Sequence, residues 1–115
     1  MNDTATGPEP VYHLLLDPDE VQVAAHALRL LDRDEAHEPH IHRLVQDVLA
    51  SLDGAPNERG ILTVSLEPQQ MKITHSAVKL LLNDLQREQA SERELLRAIL
   101  DKLPDEHTMR AIEVP

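Results

Sequence analysis

Leu62-Thr63-Val64-Ser65-Leu66-Glu67-Pro68 carries the reading on which the fold turns. Leu62, Val64 and Leu66 alternate with Thr63 and Ser65, the period of two that sends apolar side chains to one face of a strand and polar ones to the other. Glu67-Pro68 then closes the strand and opens a helix. Proline suits a first helical position because the N–H it lacks would have no partner there, and the carboxylate before it can accept from the free N–H groups of the first turn.

Upstream, the same design stands in better form. Laid on itself with a shift of about fifty residues, the chain brings His13-Leu14-Leu15-Leu16-Asp17-Pro18-Asp19-Glu20-Val21 onto Thr63 to Met71. Asp17 is a stronger cap than Glu67, and Glu20 can reach back to complete a capping box. Ala27 to Leu31 fall on Ala77 to Leu81. One extra residue in the second connection then brings Leu44, Val45, Val48, Leu49 and Leu52 onto Leu95, Leu96, Ile99, Leu100 and Leu103.

Each half therefore reads as strand, helix, helix. After Pro18, Val21, Ala24, Ala25, Leu28 and Leu31 form one apolar stripe at spacings of three and four. After Pro68, Met71, Val78, Leu81 and Leu85 form the matching stripe, and Ile73, Ala77 and Leu80 widen it over much of the circumference. A face that wide either lies deep in the core or meets a second subunit. The closing helices begin near Pro39 and at Ser91-Glu92-Arg93-Glu94, the form of a capping box. They end at Asp53-Gly54, where glycine can take the left-handed conformation, and before Pro104.

The expected fold is α+β and predominantly helical: two tandem strand-helix-helix repeats in one domain with pseudo-two-fold symmetry. Residues 1–9 read as a disordered tail and 10–115 as one domain. Within it, repeat one spans 11–53, a polar Gly/Pro connector 54–60, repeat two 61–104 and a C-terminal segment 105–115. A lone strand leaves backbone groups unpaired, so each strand needs the other half's strand or one from another chain. This pattern resembles the ribbon-helix-helix family, on the strength of Leu62 to Pro68 leading into a helix, Ser91 opening the second, and the looser repetition at Tyr12 to Pro18. The resemblance implies an antiparallel two-stranded ribbon whose outward side chains read bases in the major groove and are commonly basic or amide. Here the outward positions are His13, Leu15, Thr63 and Ser65, which lack that chemistry.

Composition narrows the function. The chain has 115 residues, 11 Lys+Arg against 21 Asp+Glu, a formal net charge of -10, and no Cys, Trp or Phe. Without thiols there are no disulfides, thiolate metal sites or cysteine nucleophiles, and a cytoplasmic location is expected. Apolar runs such as Leu80 to Leu82 are far short of the roughly 20 residues that span a bilayer, and Met1-Asn2-Asp3-Thr4 does not open a secretory signal. Residues 1–57 carry 3 basic and 11 acidic side chains, and residues 58–115 carry 8 and 10. Such a chain repels phosphate backbones, so nucleic acid is not an expected partner, while a basic protein or a cation is compatible.

The polar cluster with ligand-like spacing is Glu35-Ala36-His37-Glu38-Pro39-His40-Ile41-His42. His37, His40 and His42 are the candidate metal ligands, for a borderline cation such as zinc or nickel. The matching stretch of the second half, Gln86 to Ser91, has no histidine, so the fold itself does not need the cluster. His26 and His75 read as packing residues on the first helices, and Asp17 and Glu67 as helix caps rather than an acid-base pair. Tyr12 is the single aromatic residue, and no phosphate-binding glycine loop or nucleophile elbow is present. No cofactor and no catalysis are expected. The expected role is a non-catalytic protein-interaction or regulatory module, a homodimer, with the Ile73, Ala77 and Leu80 face and the acidic first half as contact surfaces. Met109, Ile112 and Val114 in the C-terminal segment could pack on the core or dock on a partner. The competing readings are a metal-binding protein and a duplicated ribbon-helix-helix regulator.

Overall fold

The computed structural model describes residues 12–34, 39–85 and 89–104. The expectations for residues 1–9, for His37 and for the C-terminal segment 105–115 lie outside them. The described chain is mostly helical with one small sheet. In order it runs β1 (Tyr12–Leu16), α1 (Pro18–Asp34), α2 (Pro39–Leu52), β2 (Leu62–Leu66), α3 (Pro68–Asp84) and α4 (Ala90–Lys102).

The strands pair antiparallel, Tyr12 opposite Leu66, Leu14 opposite Val64 and Leu16 opposite Leu62. The period of two has the expected effect. Leu14, Leu16, Leu62, Val64 and Leu66 are buried beneath the ribbon, while His13, Leu15, Thr63 and Ser65 stand exposed on its other face. All the apolar burial of the sheet is on the helical side, so its register is firmly set: a slip by one residue would exchange the two faces.

Both strand-to-helix corners are capped. The Glu20 N–H donates to Asp17 Oδ1 at 2.8 Å and the Asp17 N–H to Glu20 Oε1 at 2.9 Å, a reciprocal box. At α3 the Glu67 N–H donates to Gln70 Oε1 at 2.9 Å, and the box is completed by the Glu67 side chain.

The core joins all six elements. In α1 the seam runs through Val23, Ala24, Ala27, Leu28 and Leu31, while Val21 and Ala25 are only half-buried. The sequence stripe is thus turned slightly from the true seam, because α1 is pressed between α3 and the closing helices rather than lying on one flat surface. α1 and α3 pack on each other and each touches both α2 and α4. α4 also reaches β1, and α2 reaches β2. The position of α3 explains its wide apolar circumference: Met71, Ile73, Ala77, Val78 and Leu81 are all buried within the chain. Thr74, buried beside them, satisfies its hydroxyl by donating to the Gln70 carbonyl at 2.8 Å.

Three local expectations need correction. Ser91 does not cap α4, which starts at Ala90 with Gln89 before it and no side-chain cap. Arg93 instead ties α4 to the end of α3, its Nη1 donating to the carbonyls of Leu82 at 3.2 Å and Leu85 at 3.4 Å. Among the described residues the left-handed glycine is Gly60, at φ 81, and not Gly54. Gly54 answers a steric demand, since a Cβ there would come within 3.2 Å of the Ser51 carbonyl oxygen and 3.3 Å of Leu62 Cδ1. His26 is not a packing residue: its side chain is exposed and its Nδ1 lies 3.2 Å from Glu92 Oε1.

Candidate functional site

The ribbon positions four side chains on the face turned away from the described helices. His13 and Ser65 stand opposite one another, with Nδ1 and Oγ 3.1 Å apart, and Leu15 stands opposite Thr63. Leu15 is 52% exposed and is the one large apolar side chain so exposed among the described residues. A single exposed leucine is ordinary on a protein surface. This one differs because it borders an open groove of about 510 Å³ that runs along β1, walled by Tyr12, His13, Ile61, Asp101 and Lys102.

The far wall of that groove is locked to the strand. Lys102, in the last turn of α4, donates from Nζ to Glu20 Oε1 at 2.6 Å and to the Leu15 carbonyl at 2.9 Å. The Tyr12 hydroxyl donates to the Lys102 carbonyl. Glu20 is buried, so the charge of Lys102 is matched by a buried carboxylate. Asp101 is exposed beside Lys102, so the groove carries one free-facing carboxylate and one ammonium that is paired yet 40% exposed. Carboxylates mark both ends of β1 as well: Asp17 and Asp19 follow Leu16, and Glu67 follows Leu66, the partner of Tyr12. Sequence spacing gave no sign of this arrangement, since Lys102 and Glu20 lie 82 positions apart.

The other candidates fall elsewhere. His40 and His42 sit in the first turn of α2. His42 Nδ1 lies 2.7 Å from Asp32 Oδ1, and Gln46 Nε2 approaches the other oxygen of that carboxylate at 3.5 Å. The pair joins α2 to α1. Among the described residues no three His, Cys, Asp or Glu side chains gather as a metal would need. Ile73 and Ala77 are 6% and 0% exposed, and Leu80 is half-buried against the same core, so that face is occupied by packing within one chain. A second cavity, of about 180 Å³, lies where Pro18 and Val21 meet Leu52, Gly54 and Leu62.

No helix among the described residues is long and apolar enough to cross a membrane. Compared with known proteins, the chain matches no family model, no curated protein and no solved structure. The class that the fold defines is a mostly helical α+β chain bearing a two-stranded antiparallel ribbon.

Proposed function

We propose that this protein is a non-catalytic protein-interaction module, built from two tandem strand-helix-helix units whose strands form one ribbon, and that it binds through the outer face of that ribbon. The observation that carries the reading is Leu15, exposed on the outer face of β1 and set in the wall of the groove. The duplication is supported by the similar lengths of the corresponding elements, 5 residues in each strand, 17 in α1 and α3, and 14 and 13 in α2 and α4. A protein partner fits better than a second copy, because two chains of net charge -10 repel one another.

The test is a complex reconstituted from purified components, with the partner first identified by the mass of what accompanies the tag-free chain. Leu15→Ser abolishes that complex while Ala50→Ser, an exposed change on α2, leaves it intact. A complex indifferent to Leu15→Ser, or a chain that purifies without a second component, contradicts the reading.

The antiparallel ribbon with His13, Thr63 and Ser65 on its outer face favours one other reading, a duplicated ribbon-helix-helix regulator that places this face in the major groove. Its charge opposes it. That reading requires salt-sensitive binding to duplex DNA that is lost in Thr63→Glu, and no binding at low salt removes it.

A further inference from the structure

The groove beside β1 is apolar at Tyr12, Leu15 and Ile61, and its charges are balanced: Asp101 is exposed, and Lys102 is paired with Glu20 yet 40% exposed. Such a groove favours an apolar occupant and gives no advantage to a strongly charged one. Lys102 Nζ already occupies the Leu15 carbonyl, which interrupts the backbone acceptors that an added strand would use. The occupant is therefore held by its side chains.

The chain itself delivers a suitable segment. α4 ends at Lys102, in the groove wall, and Pro104 prevents the helix from continuing. Leu103 is buried and Pro104 half-buried, so residues 105–115 set out from beside the groove. Extended chain advances about 3.3 Å per residue, and the stretch from Pro104 to Ile112 has more residues than the 5 of β1. Every point of the groove is within its reach.

The sequence of that segment matches the walls. In Ile112-Glu113-Val114 the period of two puts both apolar side chains on one side of an extended chain and the carboxylate on the other. Arg110 and Glu113 carry one charge of each sign, as the groove does. Ile112 follows Leu103 at the same spacing as Ile61, itself a residue of the groove, follows Leu52. α2 reaches β2 and α4 reaches β1, so the chain leaving α4 is brought to β1 as the chain leaving α2 is brought to β2.

We propose that the groove beside β1 is the seat of the chain's own segment 105–115, with Ile112 and Val114 laid against Tyr12, Leu15 and Ile61. Tethering gives the segment an effective concentration on the order of millimolar, whereas a second copy arrives against the repulsion of two chains of net charge -10. The seat does not depend on the ribbon having a partner. A partner that binds through Leu15 has to displace the segment, which then acts as an autoinhibitory strap.

The test is methyl NMR of the full chain with labelled isoleucine, leucine and valine methyls. The expected result is nuclear Overhauser contacts from the Leu15 methyls to those of Ile112 or Val114. Tyr12 is the single Phe, Tyr or Trp of the chain, so an upfield ring-current shift of an Ile112 or Val114 methyl reports the same seat. In the double variant Ile112→Ser, Val114→Ser, a soluble paramagnetic agent should broaden the Leu15 methyls at least twofold more than in the parent chain. The Leu49 methyls on α2 should be unaffected, which shows that the fold is retained.

Ile112 and Val114 methyls without contacts to Tyr12, Leu15 or Ile61, or with contacts to another face, overturn the proposal. Contacts that appear only between labelled and unlabelled chains in a mixed sample overturn it too, and assign the groove to a second copy. The complex that tests the proposed function is read separately. If it depends on Leu15 while these contacts are absent, the contact surface stands without a strap. If the contacts are present and no complex forms, the segment is a part of the fold and the contact surface falls.

Discussion

Lys102 and Glu20 form an ion pair at 2.6 Å that fastens the last turn of α4 to the first turn of α1. The two side chains differ in setting: Glu20 is 4% exposed and Lys102 40%. The same Glu20 oxygen closes the capping box of α1, and the same ammonium holds β1 through the Leu15 carbonyl. Three elements therefore meet at one charge pair. At the corresponding corner of α3 the box is built with the neutral Gln70.

Lys102→Met leaves the Glu20 carboxylate buried with only the backbone as partner, and should cost about 1–3 kcal/mol, the lower part of that range applying because solvent reaches the lysine. Glu20→Gln keeps the box, as Gln70 does in α3, and makes the lysine dispensable. Urea unfolding of the two single variants and the double variant should give a coupling of about 1 kcal/mol. Additive losses would show that the pair does not hold the corner together.

Ala77 is fully buried where α3 crosses the core, so Ala77→Leu forces a larger side chain into filled space and should destabilise by about 1–3 kcal/mol. The unfolding midpoint should not vary with protein concentration. A midpoint that rises with concentration in the parent chain and loses that dependence in the variant would place this face between subunits instead.

The two glycines flanking the connector should separate by mechanism. Gly60, at φ 81, has open space around it, and the nearest atom to a Cβ added there would be Pro18 Cγ at 3.9 Å. Gly60→Ala should therefore cost about 1 kcal/mol from backbone strain alone, and Gly60→Asn less, since asparagine visits the left-handed region more readily. Gly54 is limited by contact, so Gly54→Asn should be no better tolerated than Gly54→Ala. Thermal unfolding of the four variants distinguishes strain from crowding.

Arg93 replaces the missing cap between α3 and α4 by donating to two carbonyls at the end of α3. Arg93→Ala should cost about 1–2 kcal/mol and Arg93→Lys less, because both bonds leave the single nitrogen Nη1 and an ammonium can also donate to two carbonyls. Hydrogen exchange should show the loss first in the amides around Leu85. A loss spread evenly over the chain would contradict the assignment.

What the sequence made legible were the features whose physics is local. Alternation in Leu62 to Leu66 gives the two faces of the ribbon, and an acid before proline gives the start of a helix. Choices between local and distant solutions were hidden. Ser91 has the form of a cap, yet the guanidinium of Arg93 secures that corner from within the helix. Gly54 stands where a left-handed residue belongs, yet the strain falls on Gly60, where Asn57 Oδ1 accepts from the N–H groups of Arg59 and Ile61 and turns the connector into β2. The breadth of the apolar face of α3 was readable, but whether its own chain covers it depends on where α1, α2 and α4 pack. The groove was the least legible of all, because its walls come from β1, the residue before β2 and the end of α4, and no spacing in the sequence joins them.

The central claim is that β1 and β2 of one chain form the ribbon on which the contact surface stands. The protein has no cysteine, so the pair Leu15→Cys and Thr63→Cys tests it without background. These residues are directly opposite in register and both face outward, at the separation of about 4.5–5.5 Å that antiparallel neighbours keep and a disulfide can bridge. Mild oxidation at low protein concentration, followed by non-reducing mass measurement, should give a disulfide within the monomer. Disulfide-linked dimers in place of that product, or two free thiols in a folded chain, would contradict the account.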